Sequence, residues 1–318
     1  MVVSLTNIGD VILTLPVLSV LRAEFENARI DLICGRAPLA LFQGSVELGK
    51  LFAYDKKWGL LQKWFWVREI AKEKYDLVVD LRHTLIPLLV GARYRTKLIR
   101  RKNSGIISVR DKHLSLLRDL GLDLTHQKPI SLFGPKESEK VKQKLAIRGL
   151  GDAGPYAVIA PGTNSSTKQW TLEGFEGVVR FLSGEKHLNI VLAGGTQEKE
   201  ISKSIEKWGG LSGIKIYDMT GETTLRELAA LIAGAQLLVA NDSAAMQLAQ
   251  EMEVRVVGIF GPTNPWKYSR ENGKVKVVRL DLECSPCEAA QCQIERRKCL
   301  DDLSPELVKQ AVNEVLNS

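Results

Sequence analysis

QLLVANDSAAMQLAQEMEVRVVGIFGP, residues 236–262, decides the fold. QLLVAND is a short apolar run stopped by Asn241-Asp242. SAAMQLAQEM then reads as a helix, with Asp242 or Ser243 at its cap. VRVVGIFGP returns to an apolar, β-branched run and stops at Gly-Pro. Strand, helix and strand in so short a span form a β-α-β unit, and such units build parallel sheets. The same alternation continues outward. TLRELAALIAGA precedes it as a helix, NIVLAGG as a strand ending in Gly-Gly, WTLEGFEGVVRFL as a helix, and YAVIAPG as a strand ending in Pro-Gly. Open doubly wound sheets of this kind bind ligands at the carboxyl ends of their strands.

The first half repeats the pattern with fewer clear elements. Strands are expected at Val2–Leu5, Arg29–Cys34 and Asp76–Asp80. A helix over Val17–Phe25 places Val17, Leu18, Leu21 and Phe25 on one face, with Pro16 at its first position and Thr14 or Leu15 near the cap. GPKESEKVKQKLAIRGLGDAGP, residues 134–155, is a charged helical stretch bracketed by Gly and Pro; it reads as the first helix of a second domain plus a loop, with the boundary expected near 135–150. The expected class is α/β: a first Rossmann-like domain over 1–145 and a second over 146–318, facing a cleft, with the C-terminal helix free to pack back on the first.

At 318 residues, 45% hydrophobic and 25% charged, the chain has the composition of an ordinary globular protein large enough for two cores. It has no apolar run long enough to span a bilayer, and no basic region ahead of its first apolar stretch, so a cytoplasmic location is expected. The net charge of +7 is concentrated. Between Lys56 and Lys112 there are fifteen Lys and Arg against five Asp and Glu. Such a region suits a polyanion or an anionic membrane face. No nucleic-acid motif accompanies it, and nucleic acid is not expected as a partner.

Four turns at the strand ends of the second half carry groups that suit an anion. PGTNSSTKQW, residues 161–170, sets Thr163 and further hydroxyls ahead of Lys168 and a helix start. GGTQEKE offers close backbone approach at Gly194 and Gly195. MTGETTLREL places Thr223 or Thr224 at a helix cap, and NDSAAMQLA does the same with Asp242 or Ser243. Any one of these is an ordinary cap or turn; four on one sheet edge form the end of a nucleotide-diphosphate pocket. No GxGxxG follows the first strand and no GxxxxGK[ST] occurs, which disfavours a Rossmann dehydrogenase or a P-loop NTPase.

In order and wording, NIGDVILTLPVLSVLR near the start, YDLVVDLR, APGTNSSTKQW, LAGGTQE, MTGETTLRELAALIAGAQLLVANDS, GIFGPTNP and CSPCEAAQCQIERRKCLDDLSPELV resemble glycosyltransferase family 9, the ADP-heptose:lipopolysaccharide heptosyltransferases. The resemblance spans nearly the whole chain. It implies a GT-B fold, an ADP-sugar donor on the second domain and a lipopolysaccharide core acceptor on the first. It implies inverting heptose transfer with Asp10 as the base, and donor contacts from Thr163, Lys168, Asp242 and Ser243. Two positions of the family's D-[ST]-G-x-x-H segment differ, with Ala244 for the glycine and Gln247 for the histidine. Ser4 stands where a basic residue is common. The remaining expected donor contacts are Gly195, Thr223, Ala244 and Gln247. Arg93, Arg95 and Lys97, within RYRTKLIRRK, are the expected acceptor contacts. A transferase using another nucleotide sugar and a catalytically silent homologue are the alternatives.

No cofactor is expected for the transfer, because Lys168 and helix-start N–H groups suffice for a leaving diphosphate and no DxD stretch is present. Cys284, Cys287, Cys292 and Cys299 open with C-x₂-C, a spacing that suits structural zinc or an iron–sulfur cluster as well as a simple reduced cluster. KKWGLLQKWFWVREIAKEK, residues 56–74, interleaves Trp58, Trp64, Phe65 and Trp66 with Lys and Arg. It suits either core packing or peripheral association with an anionic membrane. The four histidines, His83, His113, His126 and His187, are scattered and are not expected to be ligands.

Overall fold

A computed structural model describes residues 1–98, 105, 108–151, 154–294 and 296–318. The chain forms two compact units, Met1–Leu132 and Phe133–Ser318. The division lies before the charged helix, not within it at 145/146.

The first unit runs β1 (Val2–Val3), α1 (Ile8–Ile12), α2 (Leu15–Glu24), β2 (Leu32–Gly35), α3 (Arg36–Leu39), β3 (Leu51–Tyr54), α4 (Leu60–Ala71), β4 (Leu77–Asp80), α5 (Ile86–Leu89), β5 (Tyr94–Arg95) and α6 (Val109–Arg118). Its strands pair in parallel in the order β3-β2-β1-β4-β5. The central strand β1 is fully buried, and backbone bonds from Ser4 N to Ile33 O and from Gly35 N to Leu5 O continue its pairing past its last residue. Ser4 is buried and shares a 2.9 Å hydrogen bond with Thr14, the cap of α2, tying the end of the strand to the start of the helix. The expected strand at Arg29–Cys34 begins only at Leu32. Asp31 turns inward, accepting from Tyr75 Oη at 2.6 Å and Lys50 N at 2.8 Å.

The second unit runs α7 (Pro135–Ile147), β6 (Tyr156–Ala160), α8 (Leu172–Gly184), β7 (Asn189–Leu192), α9 (Lys199–Leu211), β8 (Ile216–Asp218), α10 (Leu225–Ala233), β9 (Leu237–Asn241), α11 (Ala244–Glu251), β10 (Val256–Ile259), α12 (Pro265–Tyr268), β11 (Val275–Val278), α13 (Lys298–Asp301) and α14 (Pro305–Leu316). Helix α7 belongs here because it packs on α10, with Lys144 Nζ 2.8 Å from Glu227 and Arg226 Nε 3.3 Å from Glu137. The sheet order is β11-β10-β9-β6-β7-β8, all parallel. The first and fourth strands of the unit, β6 and β9, are therefore neighbours, as in dinucleotide-binding folds, and the chain winds outward in both directions from them. Ile159, Val239 and Ile259 pack with Phe175, Val178 and Leu182 of α8 and with Val308, Val312 and Val315 of α14. The C-terminal helix is thus part of this core, because its apolar stripe is consumed here. Trp170 is almost wholly buried against Phe175, and Gly174 is required beside it, since a Cβ there would strike the indole. No helix among the described residues is long and apolar enough to cross a membrane.

Candidate functional site

The switch point of the second sheet lies beyond the ends of β6 and β9. Two of the four turns meet there. Asn241, the last residue of β9, is fully buried; its Nδ2 donates to Pro161 O at 2.7 Å and its Oδ1 accepts from Trp170 N at 3.1 Å. One amide thus pins both ends of the Pro161–Trp170 turn. Lys168, closing a short 3₁₀ turn, places Nζ 2.7 Å from Asp242 Oδ2, and Thr163 Oγ1 lies 3.5 Å from Asp242 O. The Asp242 carboxylate is nearly buried, so the ammonium balances a charge that would be costly alone. Ser243 caps α11 through backbone geometry only. Its hydroxyl is buried and has no hydrogen-bond partner among the described residues. The first turn of α11, beginning at Ala244, leaves N–H groups without intrahelical acceptors. An ammonium, an orphan hydroxyl and these N–H groups form an anion-binding edge.

Gln247, an expected donor contact, is engaged within the second unit. It is 4% exposed, and its Oε1 accepts from Gln250 Nε2, which also donates to Tyr268 O. It is the fourth residue of α11 and is buried with Met246, Leu248, Ala249 and Gln250. The remaining two turns meet one strand further along, where Gly221 N donates to Gly194 O at 2.8 Å. Thr224, not Thr223, caps α10. Gly195 N–H is taken up by Glu198 Oε2 at 2.6 Å.

Glu198 carries no distinguishing pattern in the sequence. Its carboxylate folds back over both glycine turns: a Cβ at Gly162 or Gly194 would overlap it. Burial raises its pKa above the usual carboxylate value, partly opposed by the Gly195 N–H bond. The signal that could have found it is positional, since an acid just past the second strand of such a sheet is where a ribose diol is bound.

In the first unit, IGD is the start of helix α1 and not an open turn. Asp10 stands in its first turn, half-buried, with Oδ2 accepting from Asn7 Nδ2 at 2.9 Å. It caps no backbone N–H, so the capping role is not the one it fills. It lies beyond the end of β1, and β1 and β4 are the switch-point pair of the first sheet. Asp80 ends β4 and is spent on order, accepting from Arg82 N, Thr84 N and Thr84 Oγ1 at 2.6–2.9 Å. Arg82 stacks 4.3 Å over the Tyr54 ring, and its Nη1 is buried without a partner among the described residues. Arg93, Arg95 and Lys97 are exposed around edge strand β5, as is Tyr94, while Ala92 and Thr96 are buried. Residues 99–102 of RYRTKLIRRK lie outside the described residues. His83 follows β4 and contacts Lys97 O at 3.4 Å; His113 is buried and contacts Leu13 O at 3.4 Å.

Cys284, Cys287, Cys292 and Cys299 line one cavity of about 100 Å³ with Thr167 and Arg297. Cys299 is buried and the other three are exposed. Burial, and then the neighbouring thiols, push the Cys299 thiol up. Among the described residues, no three His, Cys, Asp or Glu are gathered closely enough to hold a metal. The segment braces the donor edge. Arg297 donates to Gln169 O at 2.8 Å and to Ser166 O, at either end of the turn that carries Lys168. Trp170 Nε1 donates to Leu303 O, and Ser285 Oγ to Gly261 O at 2.7 Å.

The family model described as glycosyltransferase family 9 (heptosyltransferase) matches residues 64–298. The chain belongs to glycosyltransferase family 9. It is similar to lipooligosaccharide heptosyltransferase 2 of Campylobacter jejuni serotype O:2, 34% identical over 165 residues, half of each chain. The protein of the same name from C. jejuni serotype O:6 is 25% identical over 319 residues, covering 98% of this chain and 96% of that one. Among solved structures, E. coli ADP-heptose LPS heptosyltransferase II superposes with a TM-score of 0.76 at 19% identity, covering 100% of this chain and 99% of that one. The two parallel sheets are those of the GT-B fold.

Proposed function

We propose that this family 9 glycosyltransferase transfers a heptose from ADP-heptose to a lipopolysaccharide core acceptor with inversion at the anomeric carbon. The observation that carries the reading is the switch point of the second sheet. Lys168, the orphan Ser243 hydroxyl and the start of α11 meet there, in a chain whose relatives are heptosyltransferases. Lys168 has three donors, one of them on Asp242; the others, with Thr163 and the N–H groups at Ser243 and Ala244, receive the departing diphosphate. Glu198 accepts from the ribose hydroxyls beside Gly194, Gly195 and Thr223. Asp10 takes the proton of the acceptor hydroxyl as it attacks, and Arg93, Arg95 and Lys97, with Arg82, meet acidic groups of the acceptor. The basic span of the first unit suits work at the cytoplasmic face of an anionic membrane.

The reading gives a metal no step. Zinc or an iron–sulfur cluster at the four cysteines is a structural proposal alone: they share a cavity, and binding would have to draw them together. Metal analysis of protein purified without oxygen decides it, and metal-free protein ends it.

Asp10→Ala tests the reaction. General-base loss lowers turnover on the order of 10²–10⁴-fold, while ADP affinity stays within about twofold, since the base contributes to the transition state. Retained turnover would refute the assignment. Ala244 and the buried Gln247 favour a second reading, transfer from a different nucleotide sugar. A thermal-shift panel of ADP-, UDP- and GDP-sugars separates the two, with the largest shift expected for ADP-heptose.

A further inference from the structure

Helix α4 is apolar on two faces. Trp66, Val67 and Ile70 pack into the first unit's core, where Trp66 lies 5.7 Å from the rings of both Tyr54 and Trp58. A packed core therefore explains half of the aromatic cluster. The opposite face carries Leu60, Leu61, Trp64 and Phe65, which are 86%, 75%, 54% and 59% exposed. Their spacing puts them one above another on successive turns. Helix α5 packs beside α4 and adds exposed Leu88 and Leu89, with Leu85 at its cap. These are seven of the fifteen large apolar side chains left exposed among the described residues, so apolar exposure is concentrated on these two packed helices and not scattered.

The charges around the patch are mostly positive. Lys56 and Lys57 precede the helix and are exposed, Lys63 reaches back to Lys56 O at 3.4 Å, and Arg68 stacks 5.1 Å over Trp64. The acid on this helix, Glu69, is paired with Lys72. A second copy of the chain is a poor occupant, because a two-fold contact would bring this cationic rim against itself. A protruding Trp-Phe-Leu wedge within a ring of Lys and Arg matches the apolar-above-anionic layering of a bilayer surface.

We propose that the α4–α5 face is a docking surface for an anionic lipid bilayer. Leu60, Leu61, Trp64 and Phe65 enter the headgroup layer, and Lys56, Lys57, Lys63 and Arg68 meet the lipid phosphates. This deepens the transferase reading by naming the surface through which the enzyme reaches a membrane-borne acceptor. Its test needs neither donor nor acceptor, so the two readings fail separately.

The full chain is floated with phosphatidylglycerol-containing vesicles and with phosphatidylcholine vesicles, beside the double variant Trp64→Ser/Phe65→Ser. Binding to the anionic vesicles alone, weakened by salt, and a drop of at least about tenfold in the variant are the expected results. Equal thermal unfolding and equal ADP binding by wild type and variant show that fold and donor edge are intact. Wild type that stays with the aqueous phase, or a variant that floats equally well, overturns the proposal. So does a dimer in sedimentation that the same two substitutions abolish. Vesicle binding without ADP binding would instead count against the transferase reading and leave this surface standing.

Discussion

At the residue scale the least expected group is Glu198. An acid beside the proposed diphosphate site is unfavourable unless it has its own task, and its raised pKa records the burial that the glycines permit. The sign of its effect on stability follows. The folded protein holds this proton more tightly than the unfolded chain. The stabilisation is complete below the unfolded carboxylate pKa and is lost as pH rises through the folded one. Glu198→Gln removes that component. Chemical denaturation from about pH 4 to 8 should show a flatter pH dependence for the variant. An unchanged profile would mean that the carboxylate is effectively solvated. Asp10 stands out as a candidate because it interrupts an apolar text at the end of the first strand. Glu198 was not, because GGTQEKE reads locally as a turn followed by a charged helix. What singles it out is contact with Gly162, thirty-six residues earlier in the chain.

At the element scale the donor edge depends on a segment far away in sequence. Arg297 holds both ends of the Lys168 turn, and Thr167 of that turn lines the cysteine cavity. Arg297→Ala leaves two carbonyls and Asp301 without their partner. ADP affinity is expected to fall roughly tenfold by titration calorimetry, a cost of one or two charged hydrogen bonds. Turnover at saturating donor should change little, because Arg297 positions the turn and does not touch the reacting atoms. A fall in turnover with affinity intact would contradict this role. Strands β6, β7, β9 and β10 were legible because they are continuous apolar runs closed by Gly, Pro or Asn. Strands β3 and β5 escaped notice because they are four and two residues long and partly exposed, so their text carries neither a full apolar run nor a long alternation. The IGD segment read as a turn because its helix is only five residues long.

At the scale of the whole molecule, each unit has its own sheet and its own core. Heating should therefore resolve two transitions in calorimetry. ADP at about a hundred times its dissociation constant adds about 2.7 kcal/mol to the unit it binds and moves only that transition, by roughly 5–10 °C. A single transition displaced as one would show that the units melt together. The two-domain plan was legible from the repeated alternation, but its boundary was not. Helix α7 was legible as the first helix of the second domain, but a cut at 145/146 falls inside it, and its packing and ion pairs with α10 place all of it in the second unit.

Among the described residues the first sheet ends at β5, and an edge strand of this kind can template a strand from another chain. Arg93, Arg95 and Lys97 surround that edge and are exposed. Clustered positive charge is one way such an edge is kept from recruiting a neighbour. The three cations proposed to greet the acceptor therefore also guard solubility. Neutralising them together should yield a protein that aggregates as well as one that turns over slowly, so activity lost in such a variant must be judged on its soluble fraction.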